Sequence, residues 1–163
     1  MGAGKTSVGS ALARRLGWVL LDSDRQVERL ARRTVPEIWR SDGEPAFRAL
    51  ETRVLAGAFA SPTPTVVAAA GGVVLDEGNR RLLRQHGPVV WLRARVPTLV
   101  ARVGSGAGRP LLDVDPAGSM ARLDAQRRPL YEEVADVAVD VDDLDVRQVV
   151  DAITSRLGLE PAR

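Results

Sequence analysis

The stretch Met1-Gly2-Ala3-Gly4-Lys5-Thr6 narrows the possible folds of this chain more than any other. Gly4-Lys5-Thr6 is the closing end of the phosphate-loop pattern G-x-x-x-x-G-K-[ST], which joins a strand to a helix and cradles an anion on its backbone. Gly2 and Gly4 let the chain turn its N–H groups inward, in conformations that a Cβ would obstruct. The helix that follows adds the positive end of its dipole. Gly2, Ala3, Gly4, Lys5, Thr6 and Ser7 are therefore expected to hold the phosphates of ATP. Lys5 would neutralise the β- and γ-phosphates, and the Thr6 hydroxyl would ligate Mg²⁺. Lys5 is the only lysine, in a chain whose other strong bases are all arginine. An ammonium point charge is what this position calls for.

A phosphate loop of this kind belongs in an α/β chain, and the hydrophobic pattern agrees. Val8, Leu12 and Leu16 recur every four residues, which predicts a helix from Lys5 that stops at Gly17. Trp18 to Leu21 is a short apolar run, predicted as a buried parallel strand ending in Asp22-Ser23-Asp24. Further strands are expected at 65–69, 88–92 and 138–141. Helices are expected between them: two short ones before the Ser41-Asp42-Gly43 turn, then about 44–60, 76–85, 97–103 and 117–127, and a last one carrying Val146, Val149, Val150, Ile153 and Leu157. Strands alternating with helices predict a central parallel sheet with helices on both faces, a three-layer αβα domain spanning 1–163. Residues 104–116 are Gly- and Pro-rich around Arg109 and are predicted to form a mobile lid.

Composition excludes several classes. Net charge is only +2 and no Lys/Arg run is long enough for a nucleic-acid arm. No apolar stretch reaches the roughly 18 residues of a membrane span. There is no cysteine, hence no disulfide framework or thiolate metal site, as suits a reducing cytoplasm.

The loop needs a carboxylate on its metal side. The strand at 65–69 ends in Ala70-Gly71-Gly72 and offers none, which leaves Asp22. Asp24, two residues on, is placed to accept a proton from a substrate hydroxyl. Arg48, Arg109 and Arg127 are the cationic candidates, since arginine forks match carboxylate and phosphate. An arginine in a Gly/Pro-rich loop suits closure over a transferring phosphate.

In order and spacing these residues resemble the shikimate kinases, small P-loop kinases of the nucleoside monophosphate kinase superfamily. The resemblance runs through Gly2 to Thr6, Leu-Leu-Asp22-Ser-Asp24, Asp42-Gly43-Glu44 with Phe47-Arg48 and Glu51, Gly71-Gly72, Arg109-Pro110-Leu111-Leu112 and Arg127-Arg128-Pro129-Leu130-Tyr131. It implies transfer of the γ-phosphate of ATP to the 3-hydroxyl of shikimate, a step toward chorismate and the aromatic amino acids, by a cytoplasmic monomer. It gives Lys5, Asp24 and Arg109 catalytic parts, with Asp24 as base. Arg109 would also reach the ATP phosphates. Shikimate would lie on Asp24, Arg48, Gly71, Gly72 and Arg127, the two arginines holding its carboxylate. Mg²⁺ would be held by Thr6 and, through water, Asp22.

Three departures carry expectations of their own. The first phosphate-loop glycine and the strand before it are absent. That strand is central in the resembled fold, so a gap is expected between its neighbours, and the native protein is expected to begin roughly ten residues earlier. Ala70 stands where the family usually has glycine; if φ is positive there, alanine costs on the order of 1 kcal/mol. The stretch near Leu144 is acidic, with only Arg147 close to the expected adenine side.

Plainer readings compete with these. Asp24 would serve as an N-cap, and Arg48 would pair with Glu44 or Glu51 on a solvated helix face. Of Arg127 and Arg128, one is expected at the surface. His86 suits a helix C-terminus, and Trp18, Trp39, Trp91 and Tyr131 suit the core or a groove. The competing functions are a kinase for another hydroxy acid such as gluconate, and an inactive nucleotide-binding module.

Overall fold

The computed structural model describes residues 1–104, 111–112 and 115–162. Arg109 and most of the expected lid lie outside them. The element order is α1 (Lys5–Leu16), β1 (Val19–Asp22), α2 (Ser23–Ala31), α3 (Val35–Ala60), β2 (Thr65–Ala68), a 3-10 turn (Val73–Leu75), α4 (Glu77–His86), β3 (Val90–Arg93), α5 (Val96–Val103), α6 (Pro116–Val134), β4 (Val137–Asp140) and α7 (Val146–Leu157).

Side chains alternate along each strand, so one strand feeds two cores. Val66 of β2 packs with Val8, Leu12 and Leu16 of α1 and with Val149, Val150 and Ile153 of α7. Its neighbour Val67 packs on the other side with Leu55 of α3 and Leu83 of α4. Val90 and Leu92 of β3 join the first group and Val89 the second. Helices thus cover both faces, and the three-layer αβα arrangement is present. A third cluster, Val27, Ile38, Phe47 and Val54, joins α2 to α3.

The strands pair in twos. β1 runs parallel to β2, with Asp22 opposite Ala68, and β3 runs parallel to β4, with Arg93 opposite Asp140. Among the described residues no ladder joins the two pairs. The expected gap is therefore seen, and a cleft lies along it, lined by residues of β2, β3 and α1.

Three local expectations change. β1 starts one residue later and is only partly buried: Val19 is 53% exposed, and among the described residues β1 has β2 as its one ladder partner. Helix α2 begins at Ser23, so Asp24 lies in its first turn and Asp22 is the N-cap, accepting from the Arg25 N–H at 3.3 Å. The Ser41-Asp42-Gly43 turn, by contrast, is present as expected: within α3 two helical stretches meet at a kink at Gly43, which takes the non-helical φ 78°, ψ 176°. Helix α6 continues past Arg127 through Pro129 to Val134. A proline loses one helical bond, but Leu130, Tyr131 and Val134 pack into the second core and hold the last turn. Ala70 does not have positive φ, as Arg32 is the one non-glycine residue that does among those described. It is buried and donates its N–H to the Ser23 hydroxyl at 2.8 Å. The strain considered for it does not arise.

Candidate active site

Helix α1 starts without a side-chain cap. Gly4 is its N-cap in a left-handed conformation, φ 86°, with Gly2 at φ 75° before it. Neither conformation suits a residue with a Cβ. The first-turn N–H groups of α1 are thus left for an anion in the cleft, which Gly2 through Ser7 line.

Two carboxylates meet this loop from the far end of β1. The Thr6 hydroxyl donates to Asp22 Oδ2 at 2.7 Å. Asp22 caps α2 with its other oxygen, which fixes the carboxylate against Thr6. Lys5 Nζ lies 3.3 Å from Asp24 Oδ2, with both side chains more than a third exposed. An ion pair of that exposure adds only about 0–1 kcal/mol to stability, so its meaning is positional: the ammonium sits between the phosphate loop and Asp24. The buried Ser23 hydroxyl between the two aspartates takes the Ala70 N–H, tying the end of β1 to the turn after β2.

The same cleft carries the arginines. Beyond the Gly43 kink, Arg48 pairs with Glu44 at 2.8 Å and Glu51 at 2.5 Å. Its guanidinium lies 5.8 Å from the Trp39 ring and 5.4 Å from the Phe47 ring. The plainer pairing is thus real, but only its Glu44 side is solvated: Glu51 is 1% exposed. Burial pushes the Glu51 carboxyl above its ordinary pKa, with Arg48 opposing. Arg127 is buried as well, while Arg128 lies half-buried on Trp91 and pairs with Asp124 at 2.9 Å. Glu51 Oε1 and Arg127 Nε are buried without a hydrogen-bond partner among the described residues. Orphan polar atoms at a cleft wall are where a polar ligand or water belongs.

One cleft of about 1160 Å³ brings together Lys5, Thr6, Asp24, Arg48, Gly71, Gly72 and Arg127, with Asp22 behind Thr6. That exceeds an ordinary ligand pocket because it runs on into the space between β2 and β3. Every expected site residue except Arg109 is therefore described and assembled. No group of three His, Cys, Asp or Glu side chains able to hold a metal occurs among the described residues. Thr6 with Asp22 still suits Mg²⁺, which keeps several waters and binds through one or two protein oxygens plus phosphates. Sequence reasoning did not anticipate the burial of Glu51 or the hydrogen bond from Tyr131 to the Gly71 carbonyl at 2.7 Å. The three-residue spacing of Arg48 and Glu51 announced the pair, but no sequence signal announced the second contact.

Comparison with known proteins decides the family. The model of the family described as shikimate kinase matches residues 1–158. The chain belongs to the shikimate kinase family. A shikimate kinase of Cereibacter sphaeroides is 44% identical over 162 residues, covering 99% of this chain and 80% of that one. One from Ruegeria pomeroyi is 44% identical over 159 residues, covering 96% and 80%. The shikimate kinase of Acinetobacter baumannii, solved in complex with shikimate, superposes with a TM-score of 0.92 at 38% identity, over 97% of this chain and 89% of that one. The fold is thus the α/β P-loop kinase fold of the shikimate kinases.

Proposed function

We propose that the chain is an ATP-dependent shikimate kinase, making shikimate 3-phosphate and ADP. The observation that carries this reading is the cleft itself. One cleft is lined both by the α1 N-terminus with Lys5 and Thr6 and by Asp24 with Arg48 and Arg127, Asp24 lying 3.3 Å from Lys5. The first is chemistry for a polyphosphate; the second suits a hydroxyl beside a carboxylate.

The chain's own groups divide the reaction between them. The N–H groups from Gly2 to Ser7 and the Lys5 ammonium hold the β- and γ-phosphates. Arg48 and Arg127 hold the acceptor's carboxylate, and Gly71 and Gly72 contact its ring substituents through their backbone. Asp24 accepts the 3-hydroxyl proton as that oxygen bonds to the γ-phosphorus and the bond to the β,γ-bridging oxygen breaks, releasing ADP. Lys5, within reach of both Asp24 and the phosphate loop, offsets the charge shared between them. Arg109, outside the described residues, is assigned to the ATP phosphates. Mg²⁺, held by Thr6 and through water by Asp22, would neutralise phosphate charge. The reading includes a cytoplasmic monomer without nucleic-acid or membrane partners; no described helix is long and apolar enough to cross a membrane.

The test is ³¹P NMR of the products formed from ATP with shikimate and, separately, gluconate, with and without a chelator. A new phosphate monoester from shikimate alone, abolished by the chelator, is expected. A product from gluconate alone would replace the substrate. No product from either, with ATP still bound, would favour the inactive nucleotide-binding module.

A further inference from the structure

Tyr131 makes one hydrogen bond that core packing does not require. Its hydroxyl donates to the Gly71 carbonyl at 2.7 Å, across sixty positions of sequence. Its ring lies 5.7 Å from the Trp91 ring and packs with Ala70, Val73, Val74 and Val134. Burial pushes the phenol above its ordinary pKa, with Arg127 opposing, so it is a donor at neutral pH. The turn it reaches is tightly enclosed. A methyl on Gly71 would stand 2.7 Å from the Tyr131 hydroxyl and 3.6 Å from the Arg127 guanidinium. A methyl on Gly72 would overlap the Arg48 guanidinium. The Gly71–Gly72 peptide is therefore clasped between α6 and α3.

A peptide group is planar and trans. Fixing the Gly71 carbonyl therefore fixes the Gly72 N–H, which points the opposite way. Tyr131 also lies four residues after Arg127, on the same face of α6, so its hydroxyl sets where α6 rests against this turn. We propose that Tyr131 is a positioning residue for the acceptor: it orients the Gly71–Gly72 peptide and holds Arg127 at the acceptor's carboxylate. This rests on reading Gly71, Gly72 and Arg127 as acceptor-binding. Tyr131 itself touches no reacting atom.

Tyr131→Phe keeps the ring and removes only the hydroxyl. Titration of shikimate and of ATP, each followed by tryptophan fluorescence, gives both dissociation constants, and a thermal melt runs beside them. The Phe variant is expected to weaken shikimate binding about tenfold, as loss of one such hydrogen bond predicts, while ATP binding stays within about twofold. A purely structural role would weaken both ligands together as Tm falls, or weaken neither; either result overturns the inference. Arg127→Lys is the companion variant. If it weakens shikimate binding and Tyr131→Phe does not, the positioning role alone is wrong. If neither variant weakens it, the acceptor reading of this wall is wrong too.

Discussion

Glu51, a carboxylate that is 1% exposed, pairs with Arg48 in the cleft. Taking such a pair out of water is costly, and the attraction between partners offsets that cost only in part. For Glu51 burial outweighs Arg48, so its folded pKa lies above the ordinary 4.5. The native state then binds this proton more tightly than the unfolded chain. The corresponding stability is fully present below about pH 4.5 and is lost as pH rises through the folded value. Glu51→Gln holds a neutral isostere at every pH. The Tm of the parent minus that of Glu51→Gln is therefore expected to fall between pH 4 and pH 7. A difference independent of pH would mean that Glu51 is not raised. The residues legible in the sequence were those whose chemistry is local: Lys5 and Thr6 in one loop, Asp22 and Asp24 two apart. The Tyr131–Gly71 contact was not legible, because its partners meet only when α6 docks on the turn after β2.

At the scale of elements, α3 shows how a bend aims a side chain. Gly43 sits at φ 78°, ψ 176°, a region open to glycine almost alone. A methyl there would meet nothing nearer than Pro45 Cδ at 3.7 Å, so space is available and only the backbone conformation objects. Gly43→Ala is expected to cost about 1–3 kcal/mol, roughly 2–4 °C of Tm per kcal/mol. It is also expected to weaken shikimate binding, because the kink orients the turn that carries Arg48. Unchanged melting and binding would show that the kink is incidental. The Ser41-Asp42-Gly43 signal located this bend correctly, as a break between two helical stretches. Helix α6 runs longer than expected. The expected end at Arg127 lies two residues before Pro129, and the packing of Leu130, Tyr131 and Val134 carries α6 onward.

At the scale of the whole molecule, the described strands form two separate pairs. Each strand has one ladder partner among the described residues, and an isolated pair of strands is marginal by itself. The β2 and β3 amides are expected to exchange with deuterium faster than those of α1 and α7, which share the largest core. Equal protection would show that the two strand pairs open only with the whole fold. Strand alternation with helices made the three layers legible, whereas where β1 ends depended on how Asp22 caps α2. The central claim is that one cleft sets a phosphate loop against an acceptor base. Shikimate-dependent ADP release by the chain and by Asp24→Asn, with ATP and Mg²⁺, tests it most directly. The account predicts release by the parent and a kcat lower by about 10²–10⁴ in the variant, with ATP binding retained. A variant with parental kcat would contradict the role given to Asp24 and, with it, this picture of the cleft.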